Sequence, residues 1–449
     1  MALTGLDIYK LLPKTNCKEC GLPTCLAFAM KLAQKQTTLD KCPHVSEEAK
    51  AALSGAAAPP IRLVAIGTGE NKIELGNETV LFRHDETFYH PAGIAVSVAD
   101  TLGDQAIKER AARIAALKFE RVGQMLSVNL VAVENASGQK EPFAAAVRAI
   151  AANTDLPLIL MTASPDTAAA ALEVCADNKP LLYAARADQP DSQQGMFDLA
   201  KKHGCPLALC ADGLESLAAL SEKAKAAGIE DLILDSGARE PAKVIADQTA
   251  IRRAALRKKF RPLGYPTIAF TTAEDPTAEA LQASAYVAKY AGIVVMKGDE
   301  AWQALPLLTV RQNIYTDPQK PIQIEAGIYE VGAPDEKSPV LVTTNFSLTY
   351  FTVEADVEAS KVPSWIVVVD TEGTSVLTAW ASEKFTADTI AKSLKETGIE
   401  QKVGHRKAVI PGGVAVLSGK LEEASGWKVL VGPRESSGIP SFLKTSWAG

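Results

Sequence analysis

Gly93-Ile-Ala-Val-Ser-Val98 is the first of a series of short apolar runs on which the reading of the whole chain turns. Similar runs return at residues 128–134, 157–161, 180–185, 206–210, 231–234, 266–270 and 292–296. They have strand length and little polar alternation, the pattern of strands covered on both faces in a parallel sheet. Between them, stretches such as 104–118, 214–227 and 277–290 are rich in alanine, leucine and charged residues and predict helices. Eight strand–helix units over about 240 residues are the expectation for a (β/α)8 TIM barrel. A doubly wound sheet, the alternative, needs fewer strands.

Upstream, residues 61–90 alternate polar and apolar positions around Gly69 and Gly76-Asn77 and predict a β-hairpin capping the barrel. Before that, Ser54-Gly-Ala-Ala-Ala-Pro-Pro60 reads as a linker to a cysteine-rich head. Downstream, residues 331–338 carry turn residues without apolar period and mark a second break. Beyond it, 339–346, 348–358, 365–370, 376–381, 407–410 and 427–431 read as strands, with 386–396 and 418–425 as helices. The expected domains are therefore an N-terminal cluster domain at 1–57, the barrel at 61–325 and a small Rossmann-like α/β domain at 330–449.

In the head the spacing is Cys17-x2-Cys20-x4-Cys25-x16-Cys42, with Pro43 next. Four thiolates suit a 4Fe-4S cluster, one per iron, and a closing Cys-Pro is a ferredoxin habit. Gly21 and Pro23 let the loop fold around the metal, while Leu22, Leu26, Phe28, Ala29 and Leu32 offer an apolar shell. A structural zinc on the same thiolates is the alternative. Zinc ribbons place two tight pairs on two knuckles, whereas here three cysteines share one loop. His44 reads as a surface residue. Cys175, Cys205 and Cys210 are scattered and read as bystanders, and such usage points to a reducing, cytoplasmic compartment.

The chain has 449 residues, is 47% hydrophobic and 22% charged, and carries a net charge of -6 that is not gathered into any run. This argues against a nucleic-acid groove. No apolar stretch reaches the roughly 18 residues of a membrane helix, so proteins and small molecules are the expected partners.

In the last domain, Thr344-Asn-Phe-Ser347, Thr371-Glu-Gly-Thr-Ser375, Pro411-Gly-Gly413 and Gly432-Pro-Arg-Glu-Ser-Ser-Gly438 each follow a predicted strand. Polar, glycine-bearing loops at strand ends make a ligand rim of backbone donors and hydroxyls, although ordinary tight turns carry the same residues.

Four stretches carry a resemblance: Leu3-Thr-Gly-Leu-Asp-Ile-Tyr-Lys-Leu-Leu-Pro13 with its cysteines, Val342-Thr-Thr-Asn-Phe-Ser-Leu-Thr-Tyr350, Asp370-Thr-Glu-Gly-Thr-Ser-Val376 and Val431-Gly-Pro-Arg-Glu435. Together they resemble, over essentially the whole chain, the large subunit of the corrinoid iron-sulfur protein of the reductive acetyl-CoA pathway. The resemblance implies a methyl carrier rather than a stand-alone enzyme. Its corrinoid (cobamide) cobalt, as Co(I), accepts a methyl group from methyltetrahydrofolate through a separate methyltransferase and delivers it to acetyl-CoA synthase / CO dehydrogenase. The cluster, fed by a low-potential electron donor, restores Co(II) to Co(I). A small subunit completes a heterodimer. The implied corrinoid contacts are Thr343, Asn345, Thr349, Gly373, Thr374, Ser375, Val376, Arg434 and Glu435. The loop 370–375 has no histidine, and His405 precedes a strand, so neither is expected as an axial ligand. Two alternatives stand beside this reading. One is an electron-transfer reductive activator of another corrinoid protein. The other is a pterin-dependent barrel methyltransferase using Asp100, Glu134, Asp212, Asp235 or Lys297 at its strand ends.

Overall fold

The computed structural model describes residues 5–33, 36–46, 49, 59–319 and 321–447. They divide into two compact units, one of residues 1–81, 89–116 and 128–311, the other of 82–88, 117–127 and 312–449. Most of the expected linker, up to Ala58, lies outside the described residues.

In the first unit β1 (Val64–Ile66) and β2 (Ile73–Leu75) form an antiparallel hairpin within the expected span 61–90, whose second half, 76–90, holds no strand. β3 (Gly93–Ala99) follows. Next, β4 (Lys118–Arg121) and β5 (Gln124–Ser127) form a hairpin that belongs to the second unit. Then come β6 (Leu130–Glu134), β7 (Leu158–Met161), β8 (Leu181–Arg186), β9 (Leu207–Cys210), β10 (Leu232–Asp235), β11 (Ile268–Phe270) and β12 (Ile293–Met296). All eight apolar runs are thus strands. They form one parallel sheet in the order β10-β9-β8-β7-β6-β3-β12-β11, and a parallel bridge from Leu234 to Thr267 joins its two ends into a barrel.

The barrel interior is filled by Ala95, Leu130, Ile159, Ala208, Ile233 and Ile293, and Val64, Ile66 and Leu75 of the hairpin pack into the same core. The hairpin closes the N-terminal end of the strands: Gly67 N–H donates to Lys179 O just before β8, and Arg62 N–H to Gly264 O before β11. That end is a plug, so only the C-terminal end is open to chemistry.

The β4–β5 hairpin replaces the end of the expected helix 104–118, which stops at Ala115. Its two-residue loop, Val122-Gly123, has φ of 54° and 67°, the mirror-image turn that matches strand twist. The sequence signal was weak because valine is an uncommon residue at positive φ.

The second unit holds β13 (Gly327–Val331), β14 (Val340–Thr344), β15 (Ser364–Val369), β16 (Lys407–Ile410) and β17 (Lys428–Val431) in the order β13-β15-β14-β16-β17, all parallel except β13. β13 begins three residues before the expected domain start at 330. Val340, Val342, Val367 and Ile410 face the helices Ala387–Glu396 and Ser418–Ser425. Leu341, Ile366, Val368 and Val409 face the helices Ser347–Ser360 and Ile439–Thr445. The sheet is therefore covered on both sides.

Two expected strands are helices. Residues 348–358 lie in Ser347–Ser360, and 376–381 form the short helix Val376–Ala381. Leu-Thr-Tyr-Phe-Thr-Val has strong strand propensity, but it connects β14 to the parallel β15, and such a crossover is normally helical. Tyr350 and Val357 are buried at helical spacing, and the Tyr350 hydroxyl donates to Glu354 one turn on at 2.7 Å. In 376–381 only Ala379 is buried, where a half-buried strand would bury alternate residues.

A buried ion pair fastens the chain after the first hairpin. Arg252 and Glu78 are 3.3 Å apart and both 7% exposed; Glu78 accepts from Tyr89 N–H and His90 N–H, and Arg252 donates to Val80 O. Arg252→Met leaves Glu78 charged and unpaired in the core, so unfolding of the barrel unit should be easier by about 3 kcal/mol. Denaturant titration followed by far-ultraviolet dichroism measures it, and the double change Arg252→Met, Glu78→Gln should recover part of the loss.

Candidate functional site

The head is a small core made by the helices Gly5–Leu11 and Cys25–Ala33 with the segment that follows. Ile8, Leu12, Phe28, Ala29 and Val45 pack with Cys25 and Cys42, and Cys20 and Leu22 pack against them. Three of the four predicted thiols thus share one apolar cluster. The fourth, Cys17, is exposed, with its sulfur within 4.8 Å of ligand atoms of Glu19 and His44. The loop before Cys25 turns back on itself: Asn16 N–H donates to Cys25 Sγ at 3.4 Å, and Cys25 N–H to Asn16 Oδ1 at 2.8 Å. Gly21, at φ 78°, lets its own N–H reach Lys18 O. His44 is exposed and paired with Glu19 at 3.0 Å, matching its reading as a surface residue. Three thiols in one apolar cluster, an amide aimed at a sulfur and a fourth thiol on the same loop offer the donors an iron-sulfur cluster takes.

Cys175, Cys205 and Cys210 are buried in the barrel unit. Burial pushes the Cys175 thiol up to about 12 and the Cys205 and Cys210 thiols to about 11, so all three stay protonated near neutrality. Cys210 is simply a side chain of the barrel core.

At the C-terminal end of the barrel, Asp100 accepts from Ser137 N–H at 2.8 Å and Ser137 Oγ–H at 2.6 Å. Asp235 is 2% exposed and accepts from the Tyr183 hydroxyl, Gly237 N–H and the Arg239 guanidinium. Burial, and then the Asp235 charge, push the Tyr183 phenol well above its ordinary value and keep it a neutral donor. Arg239 lies over the Phe270 ring at 4.6 Å. Glu279, which the sequence did not single out, accepts from Thr271 Oγ–H, Lys297 N–H and Gly298 N–H. Glu134, Asp212 and Lys297 are exposed. The buried carboxylates are engaged in shaping loops, a structural use of such groups.

In the second unit the chain leaves β14 toward β15 on one side and returns to β16 on the other, so the C-terminal ends of β14 and β16 bound a topological switch point, the usual ligand crevice of an open α/β sheet. Asn345, 3% exposed, organises it. Its Oδ1 accepts from Thr371 N–H at 2.9 Å and Gly373 N–H at 3.0 Å, and its Nδ2 donates to Gln323 Oε1 and Asp370 Oδ1. Glu372 and Gly373 both have positive φ, and a Cβ on Gly373 would lie 3.1 Å from Pro321 O. Thr374 Oγ–H donates back to Thr371 O at 2.7 Å. Gly412 is needed for another close approach, since a Cβ there would lie 2.5 Å from Gly432 O.

Of the implied contacts, Thr343, Asn345 and Gly373 are buried, Thr349, Thr374, Ser375 and Val376 half-buried, and Arg434 and Glu435 exposed. Asn345 has its amide occupied by the loop it holds. Thr343, Thr344 and Ser347, in contrast, have buried hydroxyls without a hydrogen-bond partner. Leu348, Leu377 and Val416 are 54%, 57% and 70% exposed beside these loops. Donors without partners beside an exposed apolar shelf fit a large, mostly apolar cofactor with polar substituents. Thr344 and Ser347 lie in a loop the sequence had put on the ligand rim without singling them out, and Leu377 and Val416 were not anticipated. His405 lies at the other end of the sheet, bonded to Ser338 O and against Trp447.

A cysteine head, a parallel barrel and a doubly wound domain with a switch-point crevice define a cofactor-carrying protein of several modules. The profile of the family described as CO dehydrogenase/acetyl-CoA synthase delta subunit matches residues 63–443, and a profile described as an Fe-S cluster matches 12–44. The corrinoid/iron-sulfur protein large subunit of Moorella thermoacetica is 51% identical over all of both chains. Acetyl-CoA decarbonylase/synthase complex subunits gamma of Methanothermobacter thermautotrophicus and Methanopyrus kandleri are 40% and 39% identical, over 99% and 98% of this chain and 99% and 97% of theirs. The chain belongs to this family of corrinoid/iron-sulfur protein large subunits of the acetyl-CoA pathway. Among the described residues, no helix is long and apolar enough to cross a membrane.

Asn345→Ala should release the loop 370–375 at a cost of about 2 kcal/mol, seen as amide exchange at Thr371 and Gly373 at least about tenfold faster, with β3–β12 unchanged. Changing Cys175, Cys205 and Cys210 together to serine or alanine should leave iron per chain as it was, measured by metal analysis of folded protein.

Proposed function

We propose that this chain is the corrinoid-bound methyl carrier of the pathway, accepting a methyl group from methyltetrahydrofolate through a methyltransferase and delivering it to acetyl-CoA synthase. The observation that carries the proposal is the pairing, in one chain, of a four-cysteine head with an apolar crevice over buried, unpartnered hydroxyls. When bound, the corrinoid supplies a cobalt nucleophilic as Co(I), and a 4Fe-4S cluster supplies the low-potential electrons that restore Co(I) from Co(II).

Cys17, Cys20, Cys25 and Cys42 would hold the cluster. The Asn16 amide near Cys25 Sγ stabilises negative charge on sulfur. Leu22, Phe28 and Leu39 exclude water from that side. In the Rossmann-like domain, Thr343, Thr344 and Ser347 offer hydroxyls, and Leu348, Leu377 and Val416 an apolar shelf. Gly373, Thr374, Ser375 and Val376 form the floor that Asn345 holds, and Arg434 and Glu435 stand at the edge for a charged or polar tail. Thr349 completes the first segment. With His405 at the opposite end of the sheet, the floor presents no imidazole, and a cobalt held there without a nitrogen donor from the protein would favour its lower oxidation state. A small subunit and a low-potential donor complete the proposed assembly.

Anaerobically purified protein should carry cobalt together with about four irons per chain, as four thiolates on one cubane require. Iron without cobalt would favour the activator reading. Oxidised to Co(II), the protein should show an electron paramagnetic resonance spectrum free of superhyperfine splitting from one axial nitrogen. Splitting that survives in His405→Ala would assign that nitrogen to the cofactor's own base. Cys25→Ala should lose iron and keep cobalt.

A further inference from the structure

The four head cysteines are not held alike. Cys25 and Cys42 are buried with Phe28, Ala29 and Val45, and Cys20 is half-buried against the same core. Cys17 lies in the stretch 14–19, every residue of which is exposed. Packing fixes three thiols whether or not a metal is bound, whereas nothing but a metal would fix the fourth. An exposed thiolate is also the one that alkylating and oxidising reagents reach first.

Two other donors stand beside it. Glu19 is two residues after Cys17 and His44 two residues after Cys42, and the Cys17 sulfur, a Glu19 oxygen and a His44 nitrogen all lie within 4.8 Å of one another. Ligands bound at about 2.0–2.3 Å to one metal stand up to about 4.5 Å apart, so these atoms nearly meet the span of a single ion. Glu19 Oε2 and His44 Nε2 are 3.0 Å apart. An ionised carboxylate only accepts, so His44 Nε2–H donates and Glu19 Oε1 is left for a metal. An outer hydrogen bond of this kind ordinarily orients a ligating carboxylate. The histidine is well placed to do so, because Cys42 and Val45 are buried on either side of it and pin its segment.

We propose that the iron at Cys17 is the solvent-facing corner of the cluster, and that Glu19, positioned by His44, is a reserve ligand that takes the place of the Cys17 thiolate there. This rests on the cluster reading proposed above. In the exchange one Fe–S bond breaks and one Fe–O bond forms, and the departing thiolate takes a proton from water. Carboxylate and thiolate are both monoanions, so the charge and electron count of the cluster stay the same. Iron in proteins takes carboxylate and imidazole ligands as well as thiolates. The three packed cysteines hold the other irons throughout. The consequence is a cluster that keeps its fourth iron when its one exposed thiolate is lost.

The test uses the full chain, purified anaerobically. Cys17→Ala should keep about four irons per chain, as the wild type does. Cys17→Ala with Glu19→Gln should fall to about three, with the oxidised-state electron paramagnetic resonance signal of a three-iron cluster. Three irons or none in Cys17→Ala, or four in the double variant, overturns the proposal. Should Cys17→Ala fail to fold, the native chain decides. Iodoacetamide should label Cys17 before any other head cysteine with iron content unchanged, read by peptide mass mapping and iron analysis. Labelling elsewhere first, no labelling, or iron lost in step with labelling of Cys17 overturns it. A wild-type chain without iron would instead defeat the cluster reading itself.

Discussion

Two parallel strands cannot be joined by a tight turn. The chain must cross from the end of one to the beginning of the next, and the crossover is a helix packed on the sheet. Almost everything in this protein follows from that constraint. In the barrel it makes every strand interior and turns the helices into an outer wall. In the second unit it covers both faces of the sheet and gathers the loops that follow β14, β15, β16 and β17 at one edge. The first hairpin closes the other end of the barrel. The places left for ligands are the ends where loops leave the strands, and of the two such ends only the second, among the described residues, has buried hydroxyls lacking partners.

The head obeys a different rule. Its core is a handful of residues in which Cys25 and Cys42 count as packing side chains. A unit so small buries too little apolar surface for independent stability, and metal ligation is the usual supplement. On the proposed function the same cysteines would serve the fold and the chemistry together. The three thiols of the barrel are ordinary core groups whose burial keeps them protonated.

Asn345 shows how much of a residue's work can be internal to the fold. Resemblance put it among the cofactor contacts. In the structure its amide ties the loop 370–375 to the end of β14. Nothing in a single sequence separates an asparagine that touches a ligand from one that holds the loop that does. The difference lies in which groups three-dimensional folding brings within 3 Å, among them Gln323, 22 residues earlier in the chain.

The sequence by itself determined what depends on composition and period within a short window. The eight barrel strands are visible because burial on both faces leaves a continuous apolar run. A hairpin within 61–90 is visible from its alternation, and the four head cysteines stand out because thiolates at that spacing have few other uses. What only the tertiary structure decided depends on neighbours far along the chain. Residues 347–360 favour strand locally and are helical because β14 and β15 are parallel partners. The edge strand Gly327–Val331 exists because it finds an antiparallel partner in Ser364–Val369. That Trp302 meets water could not be read from the largely apolar helix Ala301–Tyr315, since a helical period shows which residues share a face, and only packing shows which face is exposed.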